Sequence, residues 1–461
     1  MAANSLHIAM YPWFAMGHLT PFLHLANKLA EKGHRISFLI PPKAESKLSH
    51  FNLHPDLITF IPITFPHVDG LPLNAQLTSV VPYFKLTLIM TAMDRTQSEI
   101  ESKLSELKPH FVFFDFSYWI TEIARKLGIV SVHYCIINAA SVAYLCVPSR
   151  WEEDDNKNST NGSNFLEHQP KGFPSSAITL KKCEASAMHS FAESEFGLGT
   201  TFSERKKRSF SSCDAIAFKS CREMERKYCD YLGSQLGKPV LFTGPGLPSR
   251  PTDSLDLRWL KWLNKFEKQS VVYVAFGSEI KLKRAQFEEL LLGLELMGRP
   301  FLAALKPPHG VETIEDAIPK GFQERVGERG VIYGGWVQQQ LLLAHPSVGC
   351  FITHCGSGSL SEALVSDCQL VLLPSVGDQF VNARLMGGDL KVGVEVEKRS
   401  EDGWYTKENV LKAVNLVMDE ESEIGSEVRA NHSKWRDFLL AEGLESSYID
   451  GFISDLHGML G

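Results

Sequence analysis

Several features are missing from the sequence, and each absence narrows what the chain can be. None of its nine cysteines (Cys135, Cys146, Cys183, Cys213, Cys221, Cys229, Cys350, Cys355 and Cys368) forms a Cys-x-x-Cys pair. An odd number scattered over 461 residues is no disulfide framework, so reduced thiols in a cytoplasmic protein are expected. No Cys/His cluster has zinc spacing, and no metal is expected. Basic residues number 47 against 54 acidic ones, a net charge of −7. That sign argues against a nucleic-acid partner, which needs a basic footprint. The one dense basic run, Arg205-Lys-Lys-Arg208, follows Glu204 and reads as a solvated face. The opening Met-Ala-Ala-Asn-Ser has no basic n-region and Pro12 interrupts the apolar residues after it, so no secretion signal is expected. From Ile129 to Pro148 there are 20 residues without Lys, Arg, Asp or Glu, the length of a spanning helix. Ser131, His133, Asn138 and Ser141 interrupt that stretch. Its first half alternates like a strand and its second is small-residue-rich like a buried helix, so no membrane insertion is expected.

What remains is a globular composition, 44% apolar and 22% charged, in a chain long enough for two or three domains. Leu6–Trp13, Arg35–Pro41, Leu57–Ile63, Phe111–Phe116, Ile129–Cys135 and Ala215–Lys219 are short apolar runs of the kind parallel sheets bury on both faces. Helical patterns separate them. In the clearest, Leu19 to Ala30, Thr20 is the expected N-cap and Pro21 the first helical residue. Thr243-Gly-Pro-Gly-Leu-Pro-Ser-Arg-Pro251 then reads as a linker. A second alternation follows, with strands at Ser270–Phe276, Phe301–Leu305, Val331–Tyr333, Cys350–Thr353, Leu370–Leu373 and Val392–Val396. Helices are expected from Arg284, Gln339, Ser359, Val381 and Lys407, and two amphipathic patterns begin after Ser426 and Leu444. The polar segment Glu152 to Asn164 reads as an exposed loop. The fold class is therefore α/β, two doubly wound lobes facing across a cleft. The boundaries expected are a first lobe at 1–242, a linker at 243–257, a second lobe at 258–443, and a final helix at 444–461.

Chemistry concentrates where strands meet turns. Cys350-Phe-Ile-Thr-His-Cys-Gly-Ser-Gly-Ser359 is a strand entering a glycine-rich turn and a helix, an arrangement that offers backbone N–H groups to an anion such as phosphate. Phe276-Gly277-Ser278 ends another strand and would add a hydroxyl. Gly356-x-Gly358 is also two-thirds of a dinucleotide fingerprint, with Asp378 about 20 residues on, so spacing alone leaves a nicotinamide enzyme open. No Walker-type lysine follows, which sets aside a P-loop ATPase. In the first lobe His18 precedes the Pro21 helix, and Asp115 ends the run Phe111-Val-Phe-Phe-Asp115 at the same sheet edge. A carboxylate bonded to one ring nitrogen fixes the tautomer and stabilises the imidazolium as it forms, which is the logic of a general base.

Trp336 through Gln379 resembles the 44-residue signature box of plant UDP-sugar-dependent glycosyltransferases, the inverting two-lobed GT-B group with Rossmann-like lobes. The matching positions are Trp336, Gln339, His345-Pro-Ser347, Gly349, His354-Cys-Gly356, Ser359, Glu362, Pro374, Asp378-Gln379 and Asn382. The likeness extends to Tyr11-Pro-Trp13, Gly17-His18 and the closing helix. It implies that His18 and Asp115 form the catalytic dyad. It also implies that Trp336 stacks on uracil with the Val337 backbone bonding the base edge, and that Gln339 and Glu362 hold the ribose. The diphosphate would meet His354, Ser359, Ser278 and the turn Gly356-Ser357-Gly358, with Gly17 facing the donor. Asp378 and Gln379 would bond the sugar hydroxyls. Ser357 and Gly358 stand where Trp and Asn are usual, and Gln338 replaces a Pro. His354–Leu364, Asp367-Cys-Gln369, Tyr11-Pro-Trp-Phe14 and Ala303-Ala-Leu-Lys-Pro-Pro308 are similar to the branch that adds a second sugar to flavonoid or anthocyanin 3-O-glucosides. That likeness implies transfer to the 2''-hydroxyl, with UDP-glucose favoured; the alternatives are UDP-xylose or UDP-rhamnose on the same acceptors, or transfer to an aglycone or a terpenoid glycoside. The acceptor would lie among Trp13, Phe14, Tyr83, Phe116 and Trp119. No Asp-x-Asp occurs to bridge a metal to the diphosphate. The partners implied are therefore two small molecules, the UDP-sugar and the acceptor, with no cofactor and a monomeric chain. A non-catalytic nucleotide-sugar binder is disfavoured by the presence of both His18 and Asp115.

Overall fold

The computed structural model describes residues 5–155, 162–248, 251, 253–277 and 280–461. Two parallel sheets organise them. The first has the strand order β3-β2-β1-β4-β5-β6-β7. Its strands are β1 (His7–Tyr11), β2 (Arg35–Ile40), β3 (Ile58–Pro62), β4 (Phe111–Phe114), β5 (Val130–Cys135), β6 (Ala215–Phe218) and β7 (Val240–Phe242). The second has the order β10-β9-β8-β11-β12-β13. It comprises β8 (Val271–Ala275), β9 (Phe301–Ala304), β10 (Gly330–Tyr333), β11 (Val348–Thr353), β12 (Gln369–Leu372) and β13 (Gly393–Glu395). The central strands β1, β4, β8 and β11 are buried at every residue, because helices cover both faces of each sheet. The fold is thus two Rossmann-like α/β domains facing across a cleft.

Every strand except β7 falls in, or overlaps, an apolar run visible in the sequence. β7 has three residues, too few to show a pattern. The order of each sheet fixes where a ligand can bind. Strand order reverses between β1 and β4 in the first sheet and between β8 and β11 in the second, and ligands of such sheets bind beyond the strand ends at that reversal.

Four expectations need correction. The first helix spans Met16–Glu31, not Pro21 onward; Ala15 is its extended N-cap and accepts from the backbone N–H groups of His18 and Leu19. Pro21 lies inside its second turn, where its ring denies the Gly17 carbonyl a helical partner. His18 therefore sits in the first turn of a helix rather than in the loop before it. Next, Arg205 is no part of a solvated face but is fully buried. Third, the segment Glu152 to Asn164 is helical at both described ends, in Pro148–Asp155 and the 3-10 turn Gly162–Glu167, and residues 156–161 lie outside the described part. Last, the helices expected from Ser359 and Val381 begin two residues earlier, at Ser357 and Gln379. The uncharged stretch from Ile129 is divided between β5 and the helix Ala139–Leu145, and among the described residues no helix is long and apolar enough to cross a membrane.

The lobes are joined along one flank. Asp389 of the second lobe accepts from Ser175 at 2.7 Å and pairs with Lys227 at 2.8 Å, and Tyr228 also donates to it. Arg384 pairs with buried Glu184 at 2.7 Å and with Glu395 at 3.2 Å. At the end of the chain, the helix Leu444–Met459 lies on the first lobe. Phe452 meets Phe113 of β4 edge-on at 6.0 Å, Lys28 pairs with Glu445, and Tyr448 donates to Glu223.

Candidate active site

The first half of the site comes from the β1 and β4 termini. Asp115 follows β4 and is almost wholly buried. Its Oδ1 accepts two backbone N–H groups, from Trp13 at 2.9 Å and Phe116 at 2.7 Å, while Oδ2 lies 2.6 Å from His18 Nδ1. With both oxygens accepting, the shared proton is assigned to Nδ1 and the Nε2 lone pair of His18 is left open. The ring is partly exposed, 20% against 3% for Asp115, so it faces the cleft while its partner stays dry. Gly17 beside it is open: a Cβ there would touch nothing within 4 Å.

The aromatic residues around this dyad form a packed cluster. Phe116 lies 5.4 Å from the His18 ring and meets Trp13, Phe196 and Phe202. Trp13 and Phe116 are buried but border the dyad. Phe14 is completely buried, and Trp119 is held inward by its indole N–H, which donates to Asp94 at 3.0 Å. Of the aromatic residues singled out from the sequence, Phe14 and Trp119 are therefore core. Ser278 and the side chain of Tyr83 lie outside the described residues. Phe196 and Phe202 went unnoticed in the sequence, because only the folded chain brings them to Phe116.

The second half comes from the β8 and β11 termini. His354 follows β11 and its ring is clasped by two turns. Gly277 has φ +70° and an added Cβ would lie 3.2 Å from the imidazole; at Gly356 a Cβ would lie 2.5 Å from Nε2. Only glycine lets both turns close on the ring. Burial lowers the His354 pKa to about 4, with the Ala275 carbonyl opposing. Gly356 is also the N-cap of the helix Ser357–Leu364 and supplies no side-chain acceptor, so the first N–H groups of that helix point outward unpaired by a cap. Gly358 is open, with nothing within 4 Å of a Cβ.

Beside this turn is a cavity of about 470 Å³ lined by Tyr273, Gly277, Trp336, Val337, Gln339 and Glu362. Trp336 is 82% exposed at its rim, unusual for a tryptophan and matched to a flat ring laid on it. Gln339 donates to Glu362 at 2.7 Å and to Ser359 at 3.1 Å, and Glu362 is pushed above the usual carboxylate range by burial. Gln338 reaches the interlobe segment, accepting from Asp256 N at 2.7 Å and donating to the Ser254 carbonyl at 3.0 Å, a tether proline could not make.

Asp378 and Gln379 begin the helix that follows β12. Gln379 Oε1 accepts from the Ser375 and Val376 N–H groups, which leaves its NH₂ free to donate. Burial raises the Asp378 pKa, and the hydrogen bond that Asn382 donates at 2.9 Å opposes that rise. Among the described residues no cluster of three His, Cys, Asp or Glu side chains could hold a metal ion.

Native His354 and His7, also lowered to about 4 by burial, stay neutral where unfolded histidine takes up a proton. Stability is therefore full above pH 6.5 and falls toward pH 4 by about 1 kcal/mol per pH unit for each. A urea midpoint clearly lower at pH 5 than at pH 7 is expected; equal midpoints would contradict it.

Residues 238–426 match the family described as UDP-glucoronosyl and UDP-glucosyl transferase. The chain is 58% identical over 461 residues, all of both chains, to a cyanidin 3-O-galactoside 2''-O-xylosyltransferase of Actinidia chinensis var. chinensis. It is 51% identical over 459 residues to an anthocyanidin 3-O-glucoside 2''-O-glucosyltransferase of Ipomoea nil, covering 100% of this chain and 99% of that one. Among solved structures, a UDP-glucosyltransferase from Polygonum tinctorium superposes with a TM-score of 0.78 at 21% identity, covering 99% and 100% of the two chains.

Proposed function

Because the chain belongs to the plant UDP-dependent glycosyltransferases of GT-B fold, we propose that it transfers a sugar with inversion to the 2''-hydroxyl of a flavonoid or anthocyanin 3-O-glycoside. The donor is UDP-glucose. The observation that carries the reading is the partly exposed His18 imidazole, held through Nδ1 by Asp115 at 2.6 Å so that Nε2 is left to act as a base. In this reading Nε2 removes the proton of the acceptor hydroxyl. Its oxygen attacks the anomeric carbon from the face opposite UDP, so an α-linked donor gives a β-linked product. The diphosphate leaves toward the N–H groups of the helix Ser357–Leu364, where the positive helix end and neutral His354 receive its charge. Trp336 stacks on the uracil beside the Val337 backbone, Gln339 and Glu362 hold the ribose, and Asp378 and Gln379 bond the sugar. Trp13 and Phe116 border the acceptor.

UDP-xylose is the second reading, carried by the name of the Actinidia relative. Xylose lacks the glucose hydroxymethyl group, so the two differ by one polar contact. The test is UDP release from UDP-glucose, UDP-xylose and UDP-rhamnose with flavonoid aglycones and their 3-O-glycosides. Turnover with glycosides and UDP-glucose supports the first reading, and turnover with UDP-xylose alone supports the second. Turnover confined to aglycones would overturn the acceptor assignment.

A further inference from the structure

Asn138 and Asn382, 244 residues apart, meet across the cleft. Asn138 is the N-cap of the helix Ala139–Leu145, which follows β5 in the first lobe; its Oδ1 accepts from Ser141 N at 2.7 Å. Asn382 lies in the second-lobe helix Gln379–Arg384 and is 1% exposed. Its Nδ2 donates to the Cys355 carbonyl at 2.8 Å and to Asp378 Oδ2 at 2.9 Å.

These partners settle the orientation of both amides. Asn382 has two acceptors in front of its nitrogen, so its oxygen must face Asn138. The oxygen of Asn138 is taken by a backbone N–H, so its nitrogen must face Asn382. The bridge is thus Asn138 Nδ2 donating to Asn382 Oδ1, and reversing either amide would set like groups together. The chain of bonds runs from the start of a first-lobe helix to the carboxylate assigned to the donor sugar, and also to the carbonyl beside the glycine-rich turn.

We propose that Asn138 is a positioning residue for the transfer reaction: by donating to Asn382 it locks the amide that orients Asp378, so that sugar and first lobe are held in one register. The proposal rests on the reading of Asp378 as a sugar-binding residue. The role argued for Asn138 is exerted through Asn382 and not on the reacting atoms. The plain alternative is that it caps its helix and does nothing more.

Two substitutions separate these roles. Asn138→Ser keeps an N-cap acceptor but is too short to reach Asn382, and Asn138→Asp keeps cap and shape but sets an oxygen against Asn382 Oδ1. Both should raise KM for the active UDP-sugar by about threefold to tenfold, the range for one hydrogen bond, while UDP alone binds within twofold of the unmodified protein. Thermal midpoints should fall modestly, since buried Asn382 Oδ1 loses its donor while the cap survives, and the KM effect is read on protein that is folded at the assay temperature. In an Asp378→Asn background the Asn138 substitutions should add nothing, since both act through one group. An unchanged KM in Asn138→Ser, with a raised KM in Asp378→Asn, overturns the positioning role and leaves the sugar-binding reading standing. UDP and UDP-sugar weakened equally would also overturn it, since only the sugar reports on Asp378. No effect of Asp378→Asn on the sugar would remove the reading beneath both.

Discussion

His18→Ala lowers glycoside formation by about 10²- to 10⁴-fold, the range for removing a positioned general base. UDP affinity should be unaffected, because the residues proposed to hold UDP, among them Trp336, Gln339, Glu362 and His354, all belong to the second lobe. Asp115→Asn should be nearly as damaging, for a different reason. Its retained oxygen can still accept from Trp13 N and Phe116 N, so the turn keeps its shape. The new NH₂ would then face His18 Nδ1 and force the proton onto Nε2, where it blocks the lone pair that must take the acceptor proton. Single-turnover transfer and UDP binding, measured on both variants, test the pair. A His18→Ala rate within tenfold of the unmodified protein would remove His18 from the chemistry.

The second large effect is on stability. Arg205 is fully buried and makes a two-pronged pair with Asp94, NH2 to Oδ2 at 2.6 Å and NH1 to Oδ1 at 2.9 Å. Its Nε donates to the Phe196 carbonyl at 2.9 Å and NH1 to that of Phe116 at 3.2 Å, while Asp94 also accepts the Trp119 indole. Asp94→Ala strips the charge partner from a guanidinium that has no route to water, at a cost of about 3–5 kcal/mol. A large fall in the denaturation midpoint is expected. Acceptor turnover should suffer too, since Arg205 fastens Phe196 to the aromatic cluster beside His18. UDP binding by the folded fraction should be spared. A midpoint unchanged in Asp94→Ala would show that the pair is solvated in solution.

The same residues mark where sequence reasoning reaches its end. The buried strands were legible because their apolar runs are local. That His18 and Asp115 would lie at one sheet edge was legible because both follow such runs; their pairing as a dyad came from the family resemblance, and the 2.6 Å contact is what the fold adds. Arg205 was misread because a run of like charges suggests a solvated face, whereas only Arg208 of the four is well exposed: Lys206 lies over the Phe116 ring at 4.1 Å and Arg205 reaches inward to an aspartate 111 residues away. The start of the first helix was misread because Pro21 suits a first helical position, whereas Ala15 caps with its backbone alone. Asn138 carried a local signal, a capping residue before a small-residue run, but nothing near it announces Asn382. Charge pairs and amide bridges between distant elements have no sequence period.

The helix Leu444–Met459 has a consequence for how the protein is made. Tyr448 bonds a residue 225 positions earlier, and Lys32 bonds Ser446 across 414 positions. The ribosome therefore delivers the first lobe without its last helix. At about 5–20 residues per second, roughly 10–45 s pass between emergence of Glu223 and of its tyrosine partner. Throughout that interval the second lobe is being translated while the face that will receive Phe452, Phe113 among it, waits uncovered. The order of synthesis is thus not the order of completion. The first domain to emerge is the last to be finished, and a nascent chain stalled within the second lobe would present an unfinished apolar surface to whatever binds nascent chains.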